Sequence, residues 1–239
     1  SIFTTASVIL VLGTETNRFF RSAHITPWDY LTGLQWNPLL GAEKHYGVLP
    51  LVVGTLLVTI VAMFIAIPFG LLTAIFLSEY APSKIRSILK PVLEILAGIP
   101  TVVYGFFALT VITPILHAIS SKFEIYNVSS AGIAVGIMCI PIITSLSEDA
   151  FRSVPRRLRQ GAYGLGATQF EVSTKVVFPA ALSGVIAASL LAITRAVGET
   201  MIVALAAGNL AQLTIDPREP SQTMTAYMVQ IFLGDASNF

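Results

Sequence analysis

Two opposite charges, Arg195 and Glu199, stand four residues apart inside the long apolar run Ala180–Gly208. An arginine at the centre of a bilayer costs roughly 2.5–3.5 kcal/mol on insertion scales, so such a pair demands either a partner or a function. Read as one helix, the run makes the two side chains neighbours on one side. A second row, Ala180, Gly184, Ala188, Ala192, Ala196, Thr200, Ala204 and Gly208, recurs every fourth residue, and every member is small. Small rows let helix backbones approach closely in lipid. Each charge follows a member of this row by three residues, which turns both toward packed protein or a cavity. Two chemistries fit. One is a structural ion pair that fixes helix packing. The other, preferred because intramembrane ionisable residues are functional by default, is the lining of an anion path. A guanidinium presents a planar fork that holds an oxyanion through two hydrogen bonds. Glu199 would compete for that fork and keep the anion from being trapped. It would also accept a hydrogen bond from a protonated oxyanion such as phosphate, which a deprotonated sulfate does not offer.

These residues sit in a chain composed for lipid. Of 239 residues, 54% are hydrophobic and 11% charged, where soluble domains carry about 25% charged residues. Mean hydropathy is +0.78. A net charge of +1 leaves no basic excess for nucleic acid. Cys139 lies in an apolar run and reads as a small buried hydrophobe. His24, His45 and His117 are scattered without metal-ligand spacing, so no metal site is expected. An intramembrane hydrolase is also disfavoured, because GETMIV lacks a second metal ligand and no Ser–His or paired-Asp constellation is visible.

The composition and pattern predict an all-α polytopic membrane protein. Four spans are predicted, at Leu51–Ser78, Pro91–Leu116, Ser129–Ser147 and Ala180–Gly208, each long and nearly uncharged. Pro68, Pro100 and Pro141 fall inside three of them and predict kinked, packed helices. Residues 1–12 read as the end of a first span, 13–50 as an outer interfacial segment, 51–208 as the core, and 209–239 as an outer segment leading to a further span. The aromatics Phe19, Phe20, Trp28, Tyr30 and Trp36 of the outer segment predict an interfacial belt or a docking surface, with the belt preferred. Lys84, Arg86, Lys90, Arg152, Arg156, Arg157, Arg159 and Lys175 concentrate in loops 80–90 and 149–179, against five cations in the longer opposite segments. That bias places 149–179 in the cytosol and Phe239 outside. Near the cytosolic end, Lys90 and Glu94 are four apart and predict a snorkelling pair, with gating as the alternative for Glu94 and for Pro100.

The loop itself is not a plain linker. Val154, Leu158, Leu165, Phe170, Val172, Val176 and Val177 are too apolar for one, and Gly161, Gly164 and Gly166 predict an interrupted or closely approached helix. A short helix–turn–helix that docks into a partner fits this pattern better than a loop that only fixes topology. Counted from Gln160, the loop reads Gln160-Gly161-Ala162, then Gly166, then Val176-x-Phe178-Pro179. This spacing is similar to the cytosolic EAA motif of permeases of binding-protein-dependent ABC importers, with Gln160, Gly161, Val176 and Phe178 departing from it. The runs RAVGETMIVALAAGN, FLSEYAPSKIRSILKPVLEILAGIPTVVYGFF and LTGLQWNP resemble the phosphate-importer permeases, and more closely the PstC type than its PstA paralogue.

The resemblance implies a type I ABC importer permease bundle with about six transmembrane helices in the full chain, the first and last incomplete or missing here. It implies that Gln160, Gly161, Ala162, Gly166, Phe170 and Pro179 belong to a segment that docks on an ATPase, and that the substrate path passes Arg195 and Glu199. It further implies a PstA-like second permease, a PstB-like ATPase dimer that binds ATP and Mg, a periplasmic PstS-like phosphate-binding protein, and a bacterial inner membrane. The chain has no GxxxxGK[ST] loop, so it is expected to be no enzyme and to carry no cofactor itself. Alternatives are a permease for sulfate or molybdate, and a secondary transporter that carries a proton on Glu199.

Overall fold

The computed structural model describes residues 2–22, 25–38 and 44–232; His24 and Phe239 lie outside the described residues. Helices dominate: α1 (Ile2–Ser22), α2 (Pro27–Thr32), α3 (Leu49–Tyr80), α4 (Ser83–Ala97), α5 (Thr101–Ile119), α6 (Val128–Ser153), α7 (Arg156–Gly164), α8 (Gln169–Ala180), α9 (Leu182–Val197), α10 (Met201–Ala206) and α11 (Met224–Gln230). Two short strands, β1 (Trp36–Asn37) and β2 (His45–Tyr46), pair antiparallel with Trp36 opposite Tyr46. The predicted all-α fold therefore holds. Among the described residues α3, α5 and α6 are long and apolar enough to cross a membrane. The pair α8 and α9, bent by 71° between them, makes a fourth if counted as one span.

The centre of the bundle is α3 laid along α6. Val58, Ala62 and Ala66 of α3 are buried with Ala131, Ala134, Val135, Met138 and Cys139 of α6. Glycine sets the distance between them: a Cβ added at Gly136 would lie 2.8 Å from the Ala62 carbonyl oxygen. Lipid offers little driving force for apolar contact, so close backbone packing of this kind holds membrane helices together. Helix α9 joins the same core through Ala192 and Ala196, and Ala188 of the same small row is also buried. The row ends there as a single stripe, because α9 stops at Val197. A second dry cluster, built by Ala74, Phe151, Val154, Val172, Val177, Ala181 and Val185, forms the floor under α7 and α8.

Three boundaries differ from the sequence expectation. Helix α1 runs past residue 12 to Ser22, because Thr14 and Thr16 donate to the Val11 and Leu12 carbonyls at 2.9 and 2.7 Å and Arg18 pairs with Glu15 at 3.0 Å. The predicted span Pro91–Leu116 is two helices. Pro100 is not inside a helix but caps α5, since a proline lacks its N–H and disfavours helical backbone at the residue before it. The Tyr104 hydroxyl donates to the Leu96 carbonyl at 2.8 Å across that break, and α4 beyond it buries no residue. The third, at Gly198–Thr200, shapes the candidate site below. Pro68 and Pro141 do lie inside α3 and α6.

The aromatic residues of the outer segment pack on one another. Phe19 and Phe20 of α1 meet Tyr30, Tyr30 meets Trp36, and Trp36 meets Tyr227 of α11 with ring centroids 5.1 Å apart. Trp28 alone of the five stays exposed.

Substituting Gly136→Val drives a branched side chain into the α3 backbone and is expected to cost about 1–3 kcal/mol. Thermal unfolding of the detergent-purified protein reads this as a lowered Tm; an unchanged Tm contradicts the close α3–α6 approach.

Candidate functional site

Helix α9 ends at Val197, and the chain passes through Gly198, Glu199 and Thr200 before α10 begins. The predicted continuous helix Ala180–Gly208 is thus broken at its charged residues. Glu199 causes the break to persist. Its Oε1 accepts a hydrogen bond from the Ile202 backbone N–H at 3.3 Å, which satisfies an orphan donor of α10. Its carbonyl accepts from the Thr225 hydroxyl of α11 at 2.7 Å. Glu199 is 2% exposed and is not part of the wall of the cleft that Arg195 lines.

Arg195 occupies the last turn of α9, where the helix dipole favours a cation. Its Nη2 lies 3.9 Å from Glu199 Oε2 and 3.9 Å from the Met138 sulfur. Its side chain is 48% exposed and lines an open cleft of ≈ 350 Å³ with Ile142, Leu191, Thr194 and Gly198. The structure therefore brings Arg195 and Glu199 together, but in unequal roles. The carboxylate is dry and committed to backbone; the guanidinium is loosely held and faces open space. At 3.9 Å, with the guanidinium half-exposed, the ion pair is loose.

The predicted Lys90–Glu94 pair is not formed. Lys90 Nζ instead reaches α6, meeting Glu148 Oε2 at 3.0 Å and Asp149 Oδ1 at 3.2 Å. The reason is the burial of Glu148, which is 1% exposed: a dry carboxylate requires compensation, whereas an exposed Glu94 does not. Arg152 and Arg86 approach the same carboxylate at 3.4 and 3.7 Å. The hydrogen bond that the Lys90 ammonium donates to Glu148 raises its pKa against the opposing effect of burial, with Asp149 adding to the rise. Glu94 lines a neighbouring cleft of ≈ 270 Å³ with Lys90, Pro141 and Glu148, and Pro100 marks the α4–α5 break. Sequence reasoning missed Glu148. Its only local signal is the SEDAFR run that ends α6, with Arg152 four residues on.

Residues 156–180 form the expected helix–turn–helix. Gly161 does not interrupt α7, and nothing lies within 4 Å of a Cβ built on Gly161, Gly164 or Gly166. The turn is at Gly166, whose φ of +86° is the left-handed region that excludes most side chains. Thr168 and Glu171 then start α8 with a capping box. Ala162 packs on the dry floor, while Gln160, Gly161 and Pro179 are exposed. Leu165 at 91% and Phe170 at 68% exposure stand out as uncovered apolar groups. The segment is fastened to α3 by a buried pair: Arg159 Nη2 donates to Glu79 Oε1 at 2.9 Å, and its Nη1 donates to the Val154 carbonyl at 2.6 Å. Gln169 adds a bond to the Glu79 carbonyl at 2.6 Å. Neither Glu79 nor the anchoring role of Arg159 was legible as such, because the two are distant in sequence.

The family model for binding-protein-dependent transport system inner membrane components matches residues 66–234. The chain belongs to that family. A probable ABC transporter permease, YqgH, of Bacillus subtilis is 38% identical over 224 residues, covering 94% of this chain and 72% of its own length. The phosphate transport system permease PstC of Xylella fastidiosa (strain Temecula1) is 35% identical over 228 residues, covering 87% and 69%. A probable phosphate permease PstC of Methanocaldococcus jannaschii is 31% identical over 210 residues. Among solved structures, the MetNI methionine ABC transporter shares the fold, with a TM-score of 0.53, 21% identity, and coverage of 78% of this chain and 87% of that chain. The bundle is accordingly a type I ABC importer permease. As a member of this family, the protein is a multi-pass transport subunit that works with a substrate-binding protein and an ATPase.

Replacing Arg159 with Met leaves Glu79 buried without a countercharge, expected to cost about 3–5 kcal/mol. Faster hydrogen exchange and proteolysis within residues 156–170 would register the detachment; unchanged protection speaks against the anchor. At Gly166, substitution by Val places a β-branched residue at positive φ, a cost of about 1–2 kcal/mol or more. The expected result is ATPase activity that no longer responds to transport; intact coupling removes the docking assignment.

Proposed function

We propose that the chain is a membrane-spanning permease subunit of an ATP-driven importer of inorganic phosphate in a bacterial inner membrane. A PstA-like permease completes the path, a PstB-like ATPase dimer hydrolyses ATP with Mg beneath it, and a PstS-like protein delivers phosphate from outside. The substrate class rests on the named phosphate permeases among the relatives and on the chemistry of the cleft.

One observation carries the reading: the Arg195 guanidinium is half-exposed in an open cleft and makes no short ion pair. A fork held only at 3.9 Å keeps both of its edges available to an oxyanion. Glu199 limits how tightly an anion is held, since the dry carboxylate stands behind the guanidinium and offsets part of its charge. That position makes Glu199 a positioning group; contact with the protonated face of phosphate would require it to leave Ile202. On the ATPase side, the exposed Leu165 and Phe170 and the rigid Gly166 turn supply a knob, with Gln160, Gly161 and Ala162 on its first helix and Pro179 closing its second. Arg159 and Glu79 pass movement of that knob into α3. The spans then reorient, and the anion passes Arg195.

Uptake of labelled phosphate by the reconstituted complex tests this. Arg195→Ala is expected to lower uptake by at least about a hundredfold, the loss of two charge-assisted hydrogen bonds at about 1.5–3 kcal/mol each. Arg195→Lys keeps the charge but not the fork and should restore little. Loss of assembly in both variants makes the pair structural instead; sulfate uptake equal to phosphate uptake reassigns the substrate; uptake without ATP removes the importer assignment.

A further inference from the structure

At the α7 end of the molecule, a cleft of ≈ 420 Å³ opens between the end of α3, α4, the end of α6, and α7. Four arginines line it: Arg86, Arg152, Arg156 and Arg159. The one carboxylate in the wall, Glu79, is held by Arg159 at 2.9 Å. Behind the wall, Glu148 is held most closely by Lys90, at 3.0 Å, and only at longer range by Arg152 and Arg86. Among the described residues Arg156 forms no ion pair. Helix α7 starts at Pro155 with no side-chain cap and no acid in its first turn, so its positive dipole end is not neutralised locally. Tyr163 and Gln160 add neutral donors to the same wall.

Topology alone accounts for cations at this end of the protein. It does not account for their convergence. Exposed like charges gain by spreading into water. Glu148 draws Arg86 and Arg152 together and Glu79 draws Arg159, but among the described residues no carboxylate draws Arg156 into the same concavity, and Arg152, half-exposed and held only at 3.4 Å, keeps part of its fork free. We propose that this cleft is an oxyanion site that takes a phosphate group, either inorganic phosphate or the headgroup of an anionic phospholipid. It is separate from the Arg195 cleft. Ile142, in the wall of that cleft, and Arg152 are both on α6, and their offset in sequence corresponds to ~15 Å along a helix. The forks of Arg152 and Arg156 grip the phosphate oxygens, Arg86 supplies long-range charge from a fixed position on the Leu77 carbonyl, and Arg159 stays with Glu79.

Arginine modification by phenylglyoxal, mapped by peptide mass spectrometry on the assembled complex in nanodiscs, tests the site. One arm uses phosphatidylcholine discs with and without inorganic phosphate. Another uses discs containing phosphatidylglycerol and no phosphate. At a ligand concentration ten times its dissociation constant, Arg152 and Arg156 should react about tenfold more slowly, since only the unoccupied fraction reacts. Protection by inorganic phosphate in the first arm identifies a free anion; protection only with phosphatidylglycerol identifies a headgroup. Arg156→Gln, a change at an unpaired surface residue, should raise the half-protecting concentration for Arg152 about tenfold or more. Equal reactivity in every arm overturns the proposal, as does an Arg156→Gln variant with unchanged protection of Arg152. Protection that appears with the ATPase subunit alone, without phosphate or anionic lipid, also overturns it, because partner carboxylates would then fill the cleft. Arg195 is read in the same digest, so failure here is distinct from failure of the substrate path.

Discussion

A carboxylate sealed from water behind a guanidinium governs this structure. Glu199 commits one oxygen to the Ile202 N–H and leaves the other 3.9 Å from Arg195. A buried charge without compensation costs several kcal/mol, and the compensation here comes from backbone and from a loose cation. The same group therefore ends α9, starts α10 and directs Arg195 outward. A tighter pair would be more comfortable electrostatically, but it would occupy the guanidinium fork that the present spacing leaves free.

The opposite arrangement holds where the protein must not yield. Glu148 gathers Lys90, Arg152 and Arg86, and Glu79 holds Arg159 at 2.9 Å while that guanidinium also binds two carbonyls. These pairs join α4 to α6 and α7 to α3. They convert separate helices into one body at the α7 end of the bundle. Loose contact at the Arg195 cleft and tight contact at the α7 end are two uses of the same residue types, divided by distance and burial.

Much of the bundle was readable from the chain. The uninterrupted apolar runs placed α3 and α6, and the cluster of Gly161, Gly164 and Gly166 predicted an interruption that the structure puts at Gly166, between α7 and α8. The sequence singled out Arg195, and the structure places it beside an open cleft. The break beside it was not readable, because Gly198 and Glu199 interrupt no apolar pattern; what fixes them is Thr225, twenty-six residues on. Lys90 shows the same limit. Local spacing offered Glu94, yet the stronger acceptor was a carboxylate 58 residues away that becomes dry only once α4 and α6 meet. Likewise Arg159 reads as one more topological cation until Glu79 is found beneath it.

Of the two tryptophans in the chain, Trp28 is exposed, whereas Trp36 stacks edge-on against Tyr227. Tyr227 lies on the same short helix as Thr225, whose hydroxyl grips the Glu199 carbonyl. Any displacement of the charged break must pull on that helix and disturb the indole beside it. Trp36 is thus a native optical probe of the break at Glu199, reached through one short helix, with no label required.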